Sequence, residues 1–273
     1  MAKARYIHGT EKSEQERLAA LNAANNALFL RFLEESLRGR EPERILEVGS
    51  GLGILTCEIA RRWPRAEVVG IERSPEQLAR VPAGAAKPEN VRFVQGDAHH
   101  LPFEDGAFDL MCCRFVLEHV GDPPGVLREM KRLLLPGGGG AGVCCVQENN
   151  ILINDFDPDC PKWDAVWAKF AELQQRLGGD ALIGKRLFRI MRAAGFEKIA
   201  LSMQPELHHA GQESFPWWVR NLIGNVRSGE KALIEQSLAT REEIEGAIGE
   251  LEALIKRDDA TALFYWNRAC ASA

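Results

Sequence analysis

The sequence predicts an α/β fold with an open, largely parallel sheet, and three features carry that expectation. Residues 44–53, RILEVGSGLG, run an apolar strand into a glycine-rich turn. A second apolar strand at 66–71 ends at Glu72, 25 positions after Glu47. Strand-like and helix-like segments then alternate along the chain, as they do when helices cover both faces of a sheet.

Each element has its own signal. Ser13, Glu14, Gln15 and Glu16 read as a capping box opening an amphipathic helix to about Leu37, with room for a break at Asn25 and Asn26. The strand after Arg44 feeds the glycine turn, and residues 54–63 form the helix that follows it. Beyond Glu72, Ser74 as N-cap, Pro75 at the first helical position and Gln77 at the third open another helix. Further strands are expected at 91–95, 108–112 and 141–146, with a helix from Asp122 and Pro123 to about Leu134. Helices at 163–177 and 182–194 precede a sixth strand at 197–203, and residues 261–269 form a seventh. Residues 204–259, between these two, are too many for a hairpin. A capping box at Thr240 and Glu243 and an apolar face on Ile244, Ala247, Ile248, Leu251, Leu254 and Ile255 make them helical.

The glycine turn is suited to a nucleotide-like ligand, because glycines permit a tight turn and close backbone approach at a helix N-terminus. Its spacing is G-x-G-x-G, and Ile54 stands where a nicotinamide or flavin site has its third glycine. Glu72 can accept both hydroxyls of a ribose, and Asp97 in Gly96-Asp97-Ala98 can meet an exocyclic amine of a purine.

With EVGSGLG at 47–53, Glu72, GDAHHLPFEDGAFDL at 96–110, FVLEHV at 115–120 and LREMKRLLLPGGG at 127–139, the chain resembles the class I S-adenosylmethionine-dependent methyltransferases. It is most similar to the small-molecule group that includes the ubiquinone and menaquinone methyltransferases, and the match covers residues 43–146. The resemblance implies a Rossmann-like seven-stranded methyltransferase sheet with helices on both faces and S-adenosyl-L-methionine as cofactor. It further implies that Gly49, Ser50, Gly51 and Gly53 hold the methionine end and ribose, and that Glu72 and Arg73 lie at the ribose. By the same resemblance Asp97 and Ala98 read adenine, and Glu47 organises the turn and the donor amino group. Arg114, two residues past the fourth strand, is a further cofactor candidate. A Tyr-x-x-Gly segment before Glu-x-x-Arg-Leu is similar to one found in related enzymes. It makes Tyr6 a donor-pocket candidate and gives Arg17 the methionine carboxylate, the alternative being a packed tyrosine and a surface arginine.

The expected organisation is an N-terminal helical arm at 1–42, a cofactor-binding core at 43–203, a helical lid inserted at 204–259 and the last strand at 260–273. A lid there would rise beside the carboxyl ends of the strands, where open α/β sheets bind ligands. Acceptor candidates are His8, His119, Trp163, His209, Trp217 and Trp218, with His208 and Phe215 as further lid positions. The aromatics point to an apolar or aromatic acceptor, or equally anchor the lid. Methyl transfer needs alignment more than side-chain chemistry, and a base only when the acceptor arrives protonated. His119 is the leading base, although a structural histidine is the competing reading.

The 34 basic and 39 acidic residues give a formal charge of -5, without the basic stripe of a nucleic-acid binder. No apolar run has spanning length, and a cytoplasmic monomer or homodimer acting on a small molecule is expected. The seven cysteines lack metal spacing and read as structural thiols, with the adjacent pairs at 112/113 and 144/145 facing opposite sides of their strands. Asp155, Asp157 and Asp159 read as a solvated loop, and no metal is expected. Three readings of the whole protein stand at this point: a methyltransferase, a cofactor-binding protein without catalysis, and a nicotinamide oxidoreductase.

Overall fold

The computed structural model describes residues 12–137 and 140–273, and the candidates Tyr6 and His8 lie outside the described residues. Helix α1 (Lys12–Leu37) runs through Asn25 and Asn26 without a break. Both asparagines are occupied in ways that keep the helix intact. Asn25 Nδ2 donates to the Leu21 carbonyl one turn back at 3.2 Å, and Asn26 Oδ1 accepts from Arg114 at 2.7 Å.

The next elements follow the alternation: β1 (Arg44–Val48), α2 (Ile54–Arg62), β2 (Glu67–Glu72), the one-turn α3 (Pro75–Leu78), β3 (Val91–Gln95), β4 (Leu110–Arg114), α4 (Pro123–Leu133) and β5 (Val143–Glu148). The five strands are parallel in the order β3-β2-β1-β4-β5. β4 and β5 each begin two residues later than expected. Phe108 and Gly142 are drawn away from the ladder: the Phe108 N–H donates to Leu133 and the Gly142 N–H to Leu135, tying both to the end of α4.

Three differences from the sequence reading lie in the second half. A short strand, β6 (Asp155–Asp157), replaces the expected solvated loop, because Phe156 is buried between two exposed aspartates and pairs with the end of another strand. After α5 (Pro161–Arg176), the expected single helix at 182–194 divides into a 3-10 turn (Ile183–Arg186) and α6 (Leu187–Ala193). β7 (Ile199–His209) runs six residues past its expected end. Its alternation is inverted: Leu201, Met203 and Leu207 are 57–62% exposed, while Glu206 and His208 face inward. A reading that seeks apolar residues on the buried face stops before such a strand does.

The insertion therefore begins after His209, with α7 (Ser214–Glu235) and α8 (Arg241–Leu254) leading to β8 (Thr261–Ser272). β8 is antiparallel to β5 on one edge and to β7 on the other, and its first residues also pair with β6, completing eight strands.

Alternation along the strands fills both faces of the sheet. Cys112 and Cys145 join the cluster beneath α1 and α2, whereas Cys113 and Cys144 join the cluster beneath α4 and α6. Burial pushes all four thiols up, which leaves them as small apolar groups. A third cluster is the helical roof of α5, α7 and α8, where Trp163, Phe170, Trp218 and Leu251 pack with Phe264 of β8. Among the described residues no helix is long and apolar enough to cross a membrane.

The roof depends on the start of α8, where the Thr240 hydroxyl accepts from the Glu243 N–H and the Glu243 carboxylate accepts from the Thr240 N–H. Thr240→Ala should cost about 1 kcal/mol and lower Tm by about 2–4 °C in a calorimetric scan. An unchanged Tm would show that the helix start does not limit unfolding.

Candidate functional site

The site is built where β1, β2 and β4 end. The N–H groups of Gly49 and Ser50 both donate to the Ile71 carbonyl, at 2.8 and 2.9 Å, so the turn after β1 is stitched to the end of β2. Gly49 has φ 76°, and a Cβ there would stand 2.3 Å from Val116 Cγ2. Its lack of a side chain lets the loop after β4 close against the turn. At Gly53 (φ 70°) a Cβ would meet Phe93 at 2.5 Å, so this glycine seats α2 against β3.

Glu72 accepts three backbone N–H groups: Gly51 at 3.0 Å, Arg73 at 2.8 Å and Ser74 at 2.9 Å. The acid that ends β2 thus organises the turns on both sides of it. Because Ser74 N–H is engaged by Glu72, the N-cap of α3 is one-sided: Ser74 Oγ accepts from Gln77 N–H at 3.2 Å. Asp97 turns one oxygen towards His99, accepting from its N–H and facing its Nδ1, each at 3.0 Å. The His99 N–H is the main cause that holds the Asp97 carboxyl below its usual range.

Glu47 is 4% exposed, and its carboxylate accepts the Thr56 hydroxyl at 2.5 Å, pinning the first turn of α2. Burial pushes its pKa up to about 7, against the pull of Thr56 and Arg114. Arg114 donates to Asn22 and Asn26 of α1 at 2.6 and 2.7 Å, and its guanidinium lies 5.2 Å above the Phe29 ring. Burial pulls its pKa down.

The opposite wall is the loop after β4. Phe115 takes φ 57°, an uncommon conformation for an aromatic residue, and its N–H donates to the Gln147 carbonyl at 3.0 Å. The next three N–H groups, of Val116, Leu117 and Glu118, converge on the buried Glu148 carboxyl at 3.0, 2.8 and 3.3 Å. Burial, and then the charge of Glu118, push Glu148 up. Glu118 Oε2 accepts from Gln174 Nε2 at 3.1 Å, and its carbonyl accepts from the Asp180 N–H at 2.8 Å. His119 Nε2 stands 3.8 Å from Glu118 Oε1, because a 3-10 turn (Leu117–His119) brings these neighbours together where an α-helix would part them.

Between these walls lies a cavity of about 320 Å³. Of the sequence candidates, Arg17, Glu47, Gly49, Ser50, Gly51, Glu72, Arg73, Asp97, Ala98, Arg114, His119 and Trp218 line it. Gly53 sits behind the turn. Trp163 is fully buried in the roof against Trp167, Trp217 is half-buried beside Trp218, and the exposed His209 ends β7; none of the three lines the cavity. His208 and Phe215 also lie outside the lining; His208 stacks behind Trp218 with centroids 5.2 Å apart.

The sequence candidates did not include Phe115, Glu118, Trp167, Phe170, Phe264 and Trp266, which form the wall facing the turn. The spacing of Trp167 and Phe170 in a helix and of Phe264 and Trp266 in a strand marks one face of each element, and topology alone decides that those faces meet. Over the cavity Arg17 Nη1 donates to Asn221 Oδ1 of α7 at 2.9 Å, so the first helix and the insertion meet above it. Among the described residues no group of three or more His, Cys, Asp or Glu can hold a metal ion.

Residues 46–140 match the family described as "Methyltransferase domain". The demethylmenaquinone methyltransferase of Deinococcus radiodurans is 41% identical over 99 residues, covering 36% of this chain and 41% of that protein. The chain thus matches only about two fifths of that relative's length. Among solved structures, phosphoethanolamine N-methyltransferase 2 of Haemonchus contortus, in complex with S-adenosylhomocysteine, has a TM-score of 0.54 at 17% identity, over 89% of this chain and 51% of that one. A [4+2]-cyclase has a TM-score of 0.52 at 19% identity, over 91% and 82%. Both likenesses concern the fold.

The buried Glu47 gives the site a measurable pH signature. With a folded pKa of about 7 against an ordinary 4.5, its ionised form is disfavoured in the folded chain. The penalty is absent below pH 4.5, grows to about pH 7 and is constant above it. Urea unfolding of the ligand-free protein should therefore show Glu47→Gln gaining on the unsubstituted chain between pH 5 and pH 8, by on the order of 3 kcal/mol. A gap that stays the same at both pH values would place the carboxyl in its ordinary range.

Proposed function

The chain carries a class I S-adenosylmethionine-dependent methyltransferase domain, and from that premise we propose that it transfers a methyl group from S-adenosyl-L-methionine to a small apolar or aromatic metabolite. One observation carries the reading: a single cavity is bounded on one side by the glycine turn, Glu72 and Asp97, and on the other by six aromatic rings.

The residues present suit the donor. Gly49 and Gly51, at φ 76° and 53°, make a cradle that side chains would fill, and the buried Ser50 hydroxyl has no hydrogen-bond partner among the described residues. Glu72, with its orientation fixed by three N–H groups, would take the ribose hydroxyls, and Asp97 with Ala98 the adenine edge. Glu47 would face the donor amino group. When bound, S-adenosylmethionine supplies an electrophilic methyl group on a sulfonium. The chain contributes position and dryness: the turn fixes one reactant, and the aromatic wall excludes water and orients the other. His119, at the cavity, is the group able to take a proton from an acceptor that carries one. α1 and the insertion of α7 and α8 act as the cover.

Titration calorimetry with S-adenosylhomocysteine and NAD tests the donor assignment. The first should bind, and Glu72→Ala should weaken it by about 1–3 kcal/mol, the cost of an unpaired buried polar group. Tight NAD binding without S-adenosylhomocysteine binding would sink it. Hydrogen exchange tests the cover. Donor product should slow exchange in the first turns of α1, and acceptor should slow it in α7; unchanged exchange in both would leave these helices as scaffold.

A further inference from the structure

The aromatic half of the cavity contains one buried acid. Trp167 and Phe170 stack, centroids 5.2 Å apart at 6°, and both line the cavity. Trp218 meets Phe264 at 5.1 Å and Trp266 edge-on at 6.0 Å. Phe115, 4.7 Å from Trp266, closes the side nearest the turn. Glu118 lines the same cavity and is 6% exposed.

Its partners leave its charge incompletely answered. Gln174 Nε2 donates a neutral hydrogen bond at 3.1 Å, and His119 Nε2 at 3.8 Å is beyond hydrogen-bonding distance. Among the described residues no lysine or arginine forms an ion pair with Glu118. Glu148 behind it is a second buried carboxyl, which burial and then the charge of Glu118 push up, so it offers Glu118 no counter-charge. A carboxylate in an apolar wall calls for a cation. The faces of tryptophan and phenylalanine attract the same charge. The other acids of the cavity are committed elsewhere: Glu72 and Asp97 to backbone N–H groups, and Glu47 to Thr56. Arg17 and Arg114 donate to asparagine side chains.

We propose that Glu118 anchors a protonated nitrogen of the methyl acceptor, so that the substrate class is an aromatic or apolar body carrying a basic amine. The proposal rests on the methyl-transfer reading and names the polar handle which that reading leaves open. A neutral isostere would fill the rings and forgo the charge; an anionic one would be repelled.

Calorimetry on the full chain with three probes of similar size decides it: 2-phenylethylammonium, 2-phenylethanol and 3-phenylpropionate, each with and without saturating S-adenosylhomocysteine. The ammonium should bind at least about tenfold more tightly than the alcohol, with the propionate weakest, and Glu118→Gln should bring the first two within about twofold. Equal binding of ammonium and alcohol, or a preference that survives in Glu118→Gln, would overturn the proposal. Tightest binding of the propionate would also overturn it and assign the position to a charged His119. Should circular dichroism show Glu118→Gln to be unfolded, the ranking on the unsubstituted chain decides alone. Failure of the methyl-transfer reading would appear separately, as absence of S-adenosylhomocysteine heat, while the ranking without it still reports on Glu118.

Discussion

The convergence of three successive N–H groups on the Glu148 carboxyl is the interaction on which the cavity depends. β5 ends in a residue that would ordinarily avoid burial, and the loop after β4 satisfies it with its backbone. That exchange fixes Phe115 in a left-handed conformation, presses Val116 into the space above Gly49 and turns Glu118 and His119 towards the void. The two walls are therefore not independent. A side chain at position 49 would push on Val116, and a loosened Glu148 would release it.

Helix α1 is fastened over this arrangement by two arginines. Arg114 reaches Asn22 and Asn26 and lies above Phe29, while Arg268 of β8 donates to Gln147 and to the Leu28 carbonyl and lies 5.0 Å above Phe32. Guanidinium groups suit such places, because they are weakly hydrated, planar and able to stack while donating. Helix α1 is thus bound to β8, and the two together shape one side of the site.

Much of the first half was legible in the residues. Apolar runs broken by Gly51, Ser74 or Asp122 report local chemistry, and β1, β3 and the caps of α3 and α4 follow from it. The wall formed by the glycine turn was equally open to reading, since its residues lie within a few positions of strand ends. The aromatic wall was not. Glu118 and Phe170 are 52 positions apart, and Trp266 is almost a hundred further on; only the sheet order, with β8 set beside β5, brings them to one cavity. The second half of β7 was hidden for another reason. Its inward residues are polar because they serve side chains: Glu206 accepts from the Trp266 indole, and His208 stacks on Trp218.

The same inversion has a colloidal consequence. β7 lies at the margin of the sheet, so one side of its backbone has no strand partner among the described residues, and its outward face carries Leu201, Met203 and Leu207. Such an edge is a template for a second chain. Pro205, in the middle of the strand, has no N–H to offer a passing strand. The aromatic cavity thus imposes a solubility burden on the far side of the strand that supports it, and a single imino acid relieves part of it.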